Sequence, residues 1–457
     1  MVYTNHLLST RAFFESGATQ SYQFRKEQLT KLKKAILNHS DLLQQALYTD
    51  LKKSPEEAWI TETGFVLSEI SNALRNLQKW MAPETVSTNL LNLPSKSYLL
   101  TEPLGVVLII APWNYPFQLL FTPLVGAIAA GNSIVLKPSE FAPATSAVVK
   151  KIIDETFVSE YIFVAEGDGA TVIPALMDSF VFDHIFYTGS TAVGKIIYQA
   201  AAKNLVPVTL ELGGKSPCVV EADADIAVAA KRIAMTKFSN AGQMCVAPDY
   251  LLVHETRKEA LVAAFKKTLQ QFFGDDPSQS DEYGRIINEK QFDRLATYLQ
   301  QGNILAGGTT NRHQLYIAPT IMDAVKLDSP VMQEEIFGPI LPIFTFTTME
   351  QANAIIARHK NPLAFYLFTS SNKKEQQWFR AIPFGGGCVN NAALHLTNHS
   401  LPFGGRGFSG TGQYHGKFSY ETFSHKKGIM KTPTWIDPSA KYPPFKGKLK
   451  LFKWLLK

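Results

Sequence analysis

The chain is poor in cysteine. Its 457 residues hold three, Cys218, Cys245 and Cys388, widely spaced. That is too few for a disulfide framework, and the spacing is wrong for a zinc site, so no metal is expected and a reducing compartment is. Charge is also scarce, at 18% of residues. The net charge of +6 is unevenly placed: residues 433–457 hold six lysines and one aspartate and so account for nearly all of it. The remainder is close to neutral, which excludes a basic nucleic-acid-binding body. The first residues, MVYTNHLLSTRAFFESG, lack the basic start and unbroken apolar core of a signal peptide, so a cytoplasmic location is expected.

One stretch lacks charge altogether. Residues 103–136 contain no Asp, Glu, Lys or Arg, but they do contain Pro112, Asn114, Pro116, Gln118, Pro123 and Asn132. A spanning helix needs about 20 mainly apolar residues. Interrupted as it is, the stretch reads as strand, loop and helix buried in a protein core.

What is present is alternation. The strand candidates GVVLIIAP, SIVLKP, YIFVAEG, HIFYTG and VPVTLELGG are separated by helical segments. That pattern predicts an α/β fold with a doubly wound parallel sheet, which binds ligands at the carboxyl ends of its strands. The segment before it is helical, with Ser54 as N-cap, Pro55 at the first turn and Ile70, Leu74, Leu77 and Met81 on one face. ETVSTNLLNLPSKSYLLTEP reads as short strands or an arm. A second α/β block follows (SPCVVEADAD, YLLVHE, PILPIFTF, LAFYLFTS, GGGCVNN), and from about residue 395 the chain turns rich in Gly, Ser and aromatics.

Several stretches offer chemistry, and each has a plainer reading. YTGSTAVGK ends a strand and opens a helix, which suits a phosphate. It is near a P-loop, but Ile196 stands where the magnesium-holding hydroxyl belongs, and a tight turn fits as well. Lys137 and Glu140 follow another strand, as ribose contacts or as surface charges. Asn114, between prolines in APWNYPF, is a fixed amide donor for an oxyanion or a satisfied loop residue. Glu211 ends an apolar strand before two glycines, as a base or a salt-bridge partner. MQEEIFGP sets glutamates before Phe337. Cys245, in KFSNAGQMCVAPDY, is a packed thiol or a nucleophile. A protease-like cysteine needs a histidine, and the nearest in sequence, His254, has no supporting signature.

Taken together, ELGGKSP around Glu211, GQMC around Cys245 and EEIFGP resemble the NAD(P)-dependent aldehyde dehydrogenase superfamily over essentially the whole chain. APWNYPFQL, GQMCVAPDY and the LPFGG…YHGKFSYETFSH region are similar to its class 3 branch, which includes fatty aldehyde dehydrogenases; bacterial carotenoid-aldehyde dehydrogenases are similar too. The resemblance implies an NAD-binding domain (residues 1–83 and 101–210), an α/β catalytic domain (211–394), a bridging or oligomerisation arm (84–100 and 395–432) and a basic tail (433–457). It implies Cys245 as nucleophile, Glu211 as general base, and Asn114 with the Cys245 N–H as oxyanion donors. It also implies Lys137 and Glu140 at the adenosine ribose, Gly189, Ser190 and Gly194 at the pyrophosphate, Glu335 and Phe337 at the nicotinamide riboside, and Trp113 in the cofactor pocket. The cofactor would be NAD or NADP, the substrate a lipophilic aldehyde, the product an acid released from a thioester, and the assembly a homodimer. CoA-acylating dehydrogenases have less need of Glu211, and an idle dinucleotide-binding protein would lack Cys245 or Glu211. Met244, Asn391 and Arg406 depart from the family pattern without removing a catalytic group.

The tail FKGKLKLFKWLLK predicts a basic amphipathic helix of about a dozen residues, with Lys446, Lys450, Lys453 and Lys457 on one side. It is too short to span a bilayer but suited to weak association with an anionic membrane surface, at the inner face of the membrane.

Overall fold

A computed structural model describes residues 3–456. The alternating segments form a six-stranded sheet. Its strands run in the order Gly410–Thr411, Val208–Glu211, His184–Thr188, Val106–Ile110, Ser133–Lys137, Ile162–Val164. The last five are parallel, and Gly410–Thr411 is antiparallel to the strand ending at Glu211. The uncharged stretch supplies the strand Val106–Ile110 and the helix Gln118–Ala130, in which every residue is buried. The helix packs against Gly64–Met81 and Lys417–Thr422, and Gly126 permits that approach: a Cβ there would lie 2.4 Å from the Ser419 Cβ. A charge in this stretch would have no water to solvate it.

The second block is a seven-stranded sheet ordered Asn303–Ala306, Thr320–Asp323, Ile340–Phe346, Tyr250–His254, Pro217–Val220, Ala364–Phe368, Gly386–Val389. All its pairings are parallel except the first. Glu84–Val86, Lys96–Pro103 and Ser424–Lys431 form a separate antiparallel sheet of three strands. Its strands come from both sides of the two α/β blocks in sequence, and Ser424 pairs with Pro103.

Ser54 caps Pro55–Ala58, its Oγ accepting the Glu57 N–H at 3.2 Å. The helix then widens into a π-turn, Trp59–Thr63, before continuing as Gly64–Met81. π-turns break helical periodicity and cluster at functional sites; this one carries the fully buried Glu62.

The tail helix is shorter than the sequence predicts. It runs from Leu449 to Leu455, because Gly447 takes a left-handed φ of 85° that ends any helical run from the N-terminal side. Lys446 therefore precedes the helix, only Lys450 and Lys453 of the predicted basic side lie on it, and Lys457 falls outside the described residues. Among the described residues no helix is long and apolar enough to cross a membrane.

Candidate active site

Cys245 follows the helix Ile226–Phe238 through a tight turn, Ser239–Gly242, in which Asn240, Ala241 and Gly242 all have positive φ (49°, 50° and 75°). Only glycine fits at 242, where a Cβ would lie 2.3 Å from the Gly338 carbonyl oxygen. Gln243 fixes the turn: its amide donates to the Asn240 and Arg285 carbonyls (both 2.9 Å) and its Oε1 accepts the Ile287 N–H at 3.0 Å. The thiol is half-buried and lines a cavity of about 630 Å³ whose walls are mainly apolar, with Phe65, Leu119, Met244, Phe272 and Phe403 among them. Burial, then the charges of Glu335 and Glu211, push the Cys245 pKa well up.

Asn114 lies in the loop between Val106–Ile110 and Gln118–Ala130, and is buried. Its Nδ2 donates to the Gln243 carbonyl at 3.0 Å, which ties it to the turn two residues before Cys245. Its own carbonyl accepts from Asn240 Nδ2 (2.8 Å) and Lys53 Nζ (3.1 Å). One amide N–H is therefore held and the second stays uncommitted.

Glu211 ends its strand, buried, and neither carboxylate oxygen has a hydrogen-bond partner among the described residues. Burial raises its pKa well above the usual carboxylate range. A buried carboxyl kept from ionising by its surroundings is suited to general-base work as pH rises. Glu335 lies against Gly213, where a Cβ would fall 1.8 Å from its Oε2. Burial, then the charge of Asp249, raises the Glu335 pKa to about 8.

Phe337, at φ 50°, stands edge-on to Trp113 with ring centroids 5.3 Å apart. Lys137 Nζ donates to the Pro138 carbonyl (2.6 Å) and to Glu140 Oε2 (3.0 Å), and the Gly169 N–H donates to Glu140 Oε1 at 2.9 Å. Burial opposes ionisation of Glu140, but these bonds outweigh it and hold its pKa below the usual value. Ser190 caps the helix Thr191–Ala202. Gly189 precedes it, and a Cβ there would lie 2.3 Å from the Tyr187 hydroxyl. Gly194 sits on the inner side of that helix, where a Cβ would lie 2.7 Å from Leu212 Cδ2, so its bareness lets the helix approach the sheet.

These features fit a dinucleotide: a capped helix N-terminus beyond one parallel strand, a carboxylate beyond another strand of the same sheet with Val106–Ile110 between them, and an aromatic pair with a carboxylate over a glycine. The glycine cradle at Gly213 is the specific observation, since any side chain there would displace Glu335.

Sequence reasoning missed other groups at the site. Tyr115, Glu57 and His415 line the cavity with Cys245. Lys237 is fully buried with its Nζ unpartnered, and burial lowers its pKa to about 8. His254 is not in the cavity wall; it faces Thr256 and Phe346. Cys218 is buried within its strand, and Cys388 Sγ lies 3.5 Å from His395 Nδ1. Arg406 is exposed, and Asn391 accepts the Ala392 N–H.

The profile described as "Aldehyde dehydrogenase family" matches residues 7–429. The 4,4'-diaponeurosporen-aldehyde dehydrogenase of Staphylococcus aureus is 49% identical over 97% of each chain. The dimeric NADP-preferring aldehyde dehydrogenase of Canis lupus familiaris is 44% identical over 96% of this chain and 97% of its own. A solved structure, the substrate-bound state of Staphylococcus aureus AldH, superposes with a TM-score of 0.97 at 48% identity over 99% of both chains. The chain belongs to the aldehyde dehydrogenase family and oxidises aldehydes with NAD(P).

Proposed function

We propose that this enzyme oxidises a lipophilic aldehyde, medium- or long-chain aliphatic, aromatic or polyene, to its carboxylic acid through a thioester on Cys245. The observation that carries this reading is the apolar cavity of about 630 Å³ that the Cys245 thiol lines. A cavity of that size holds a drug-sized apolar ligand. The name of the Staphylococcus aureus relative points the same way.

Cys245 Sγ attacks the aldehyde carbon. The uncommitted N–H of Asn114 and the Cys245 backbone N–H stabilise the oxyanion. Glu211, with no other partner, takes a proton from the water that attacks the thioester, and the acid leaves through the cavity. Bound nicotinamide cofactor supplies the hydride acceptor. Lys137 and Glu140 would hold its adenosine ribose, Gly189 and Ser190 would lie at its pyrophosphate with Gly194 seating the helix, and Glu335, Phe337 and Trp113 would frame its nicotinamide end. The ionised Glu140 favours an unphosphorylated ribose, hence NAD, with NADP as a second cofactor.

We read residues 1–83 and 101–210 as the dinucleotide-binding domain, 211–394 as the catalytic domain, and 84–100 with 395–432 as the arm of a cytoplasmic homodimer. Support for the dimer is the arm sheet, which stands apart from both large sheets and leaves Leu90, Leu93 and Met430 exposed. The tail, with Trp435, Phe445, Leu449, Trp454 and Leu456 exposed among lysines, suits peripheral contact with an anionic membrane.

The test is turnover of an aldehyde series from short aliphatic to long-chain and aromatic, with both cofactors, in the wild type and in Cys245→Ala. Catalytic efficiency should rise with apolar length, and Cys245→Ala should abolish NADH formation while still binding cofactor. Near-normal turnover by Cys245→Ala would overturn the mechanism.

A further inference from the structure

The ionisable side chains of the cavity that Cys245 lines are mainly of one sign. Among the described residues Glu56, Glu57 and Glu282 line it, and no lysine or arginine does. Its single imidazole, His415, is kept neutral by burial, with its pKa lowered to about 4. Glu56 and Glu282 are exposed and, with the exposed Ile60, mark the end that opens to solvent. Glu57 lies further in, its Oε1 accepting the Asn240 N–H at 2.6 Å, and burial raises its pKa, so the charge at the mouth is that of Glu56 and Glu282.

None of the three carboxylates has a cation within ion-pair distance among the described residues. The buried cation nearby, Lys53, is committed to Glu62 and to the Asn114 carbonyl. Arg285 spends its N–H groups on the carbonyls of Ser278, Tyr283 and Gly284. Ser54 Oγ donates to Glu282 Oε2 at 3.2 Å, which fixes that carboxylate without neutralising it.

We propose that this acidic mouth selects aldehydes by charge, admitting neutral ones and rejecting those that carry a carboxylate at the far end. The proposal rests on the reading that the aldehyde reaches Cys245 through this cavity. A long aldehyde bound there leaves its distal end at the mouth, where a carboxylate would meet like charges and apolar walls that cannot solvate it. Discrimination by repulsion is as effective as discrimination by attraction. A dialdehyde would then be oxidised at one end only, because its half-acid would be refused on a second visit.

The experiment compares a matched pair, nonanal and the nine-carbon aldehyde that ends in a carboxylate, using the full chain and NAD. Proteins are the wild type and Glu56→Gln/Glu282→Gln, both changes being on exposed side chains. The wild type should prefer nonanal by about tenfold or more in kcat/KM. The double variant should cut that preference about threefold or more, by improving the anionic substrate, and added salt should shrink it in the wild type. If nonanal is not oxidised at all, the cavity is not the aldehyde route and the parent reading fails. If nonanal is oxidised but its charged partner is used equally well, or the preference is the same in the double variant, the charge selection is overturned.

Discussion

Lys53 Nζ lies 3.1 Å from the main-chain carbonyl of Asn114 and 2.5 Å from Glu62 Oε1, with the Lys53 and Glu62 side chains fully buried. Glu62 Oε2 accepts the N–H groups of Phe117 (3.2 Å) and Gln118 (2.8 Å), so one carboxylate holds the lysine and caps the helix Gln118–Ala130. The loop that carries the Asn114 amide is thus pinned from the N-terminal helices. Breaking a buried pair by removing one partner costs about 3–5 kcal/mol. Lys53→Met is expected to lower the thermal midpoint by that measure and to lower kcat more than it changes KM. Adding Glu62→Gln should recover part of the lost stability, as differential scanning calorimetry would report.

Glu211→Gln should separate the two halves of the reaction. A rapid burst of NADH followed by a slow steady state is expected, because only thioester hydrolysis needs the base. Since burial raises the Glu211 pKa, its base form accumulates as pH rises. The wild-type hydrolysis rate should climb through that range, and the variant should lose the climb. Stopped-flow traces at several pH values decide the matter; equal slowing of both phases would count against Glu211.

Glu335 links reactivity to stability. Its carboxyl has a folded pKa of about 8, raised from the ordinary 4.5. Between those values the folded protein holds a proton that the unfolded chain has lost, so this group's contribution to stability falls as pH rises from 4.5 to 8. Glu335→Gln should flatten that slope in thermal melts. Above pH 8, where Glu335 is ionised, it should also speed alkylation of Cys245 by iodoacetamide, because one of the charges that raise the thiol's pKa is gone.

Glu140 is held ionised by the Gly169 N–H and by Lys137. A ribose 2′-phosphate beside it would meet like charge. Glu140→Gln should raise kcat/KM for NADP relative to NAD by about tenfold, read from initial rates with each cofactor.

Removing the tail after Tyr442 tests its membrane contact. Full-length protein should pellet with anionic vesicles at low salt and release at high salt, while the truncated form stays in the supernatant. Equal pelleting of both would exclude the tail as the contact.

The parallel sheet was legible because its strands are continuous apolar runs and its helices keep their period. Cys245, Glu211 and Asn114 are legible as candidates because each sits in a short stretch of unusual composition, and the three stretches together resemble one family. The Lys53–Glu62 pair is not: the sequence pattern of LKKSPEEAWITE carries no signal for the π-turn Trp59–Thr63, within which Glu62 is buried. Glu57, Tyr115 and His415 join the cavity from segments far apart in sequence, which no local pattern reports. The tail helix is shorter than its side-chain pattern predicts because that pattern carries no signal for the left-handed backbone of Gly447.

The pairing of Glu211 with Gly410 sets an order of events in the cell. The edge of the sheet beside Glu211 stays open until Gly410–Thr411 has left the ribosome, about 200 residues later. At the usual pace of synthesis that is a wait of about 10–40 s. The nascent chain can therefore complete its first sheet only late, and Cys245 is made well before Glu211 is locked in place. A nascent chain stalled short of residue 410 would leave the strand that ends at Glu211 with an open edge, which gives quality control a reason to find it.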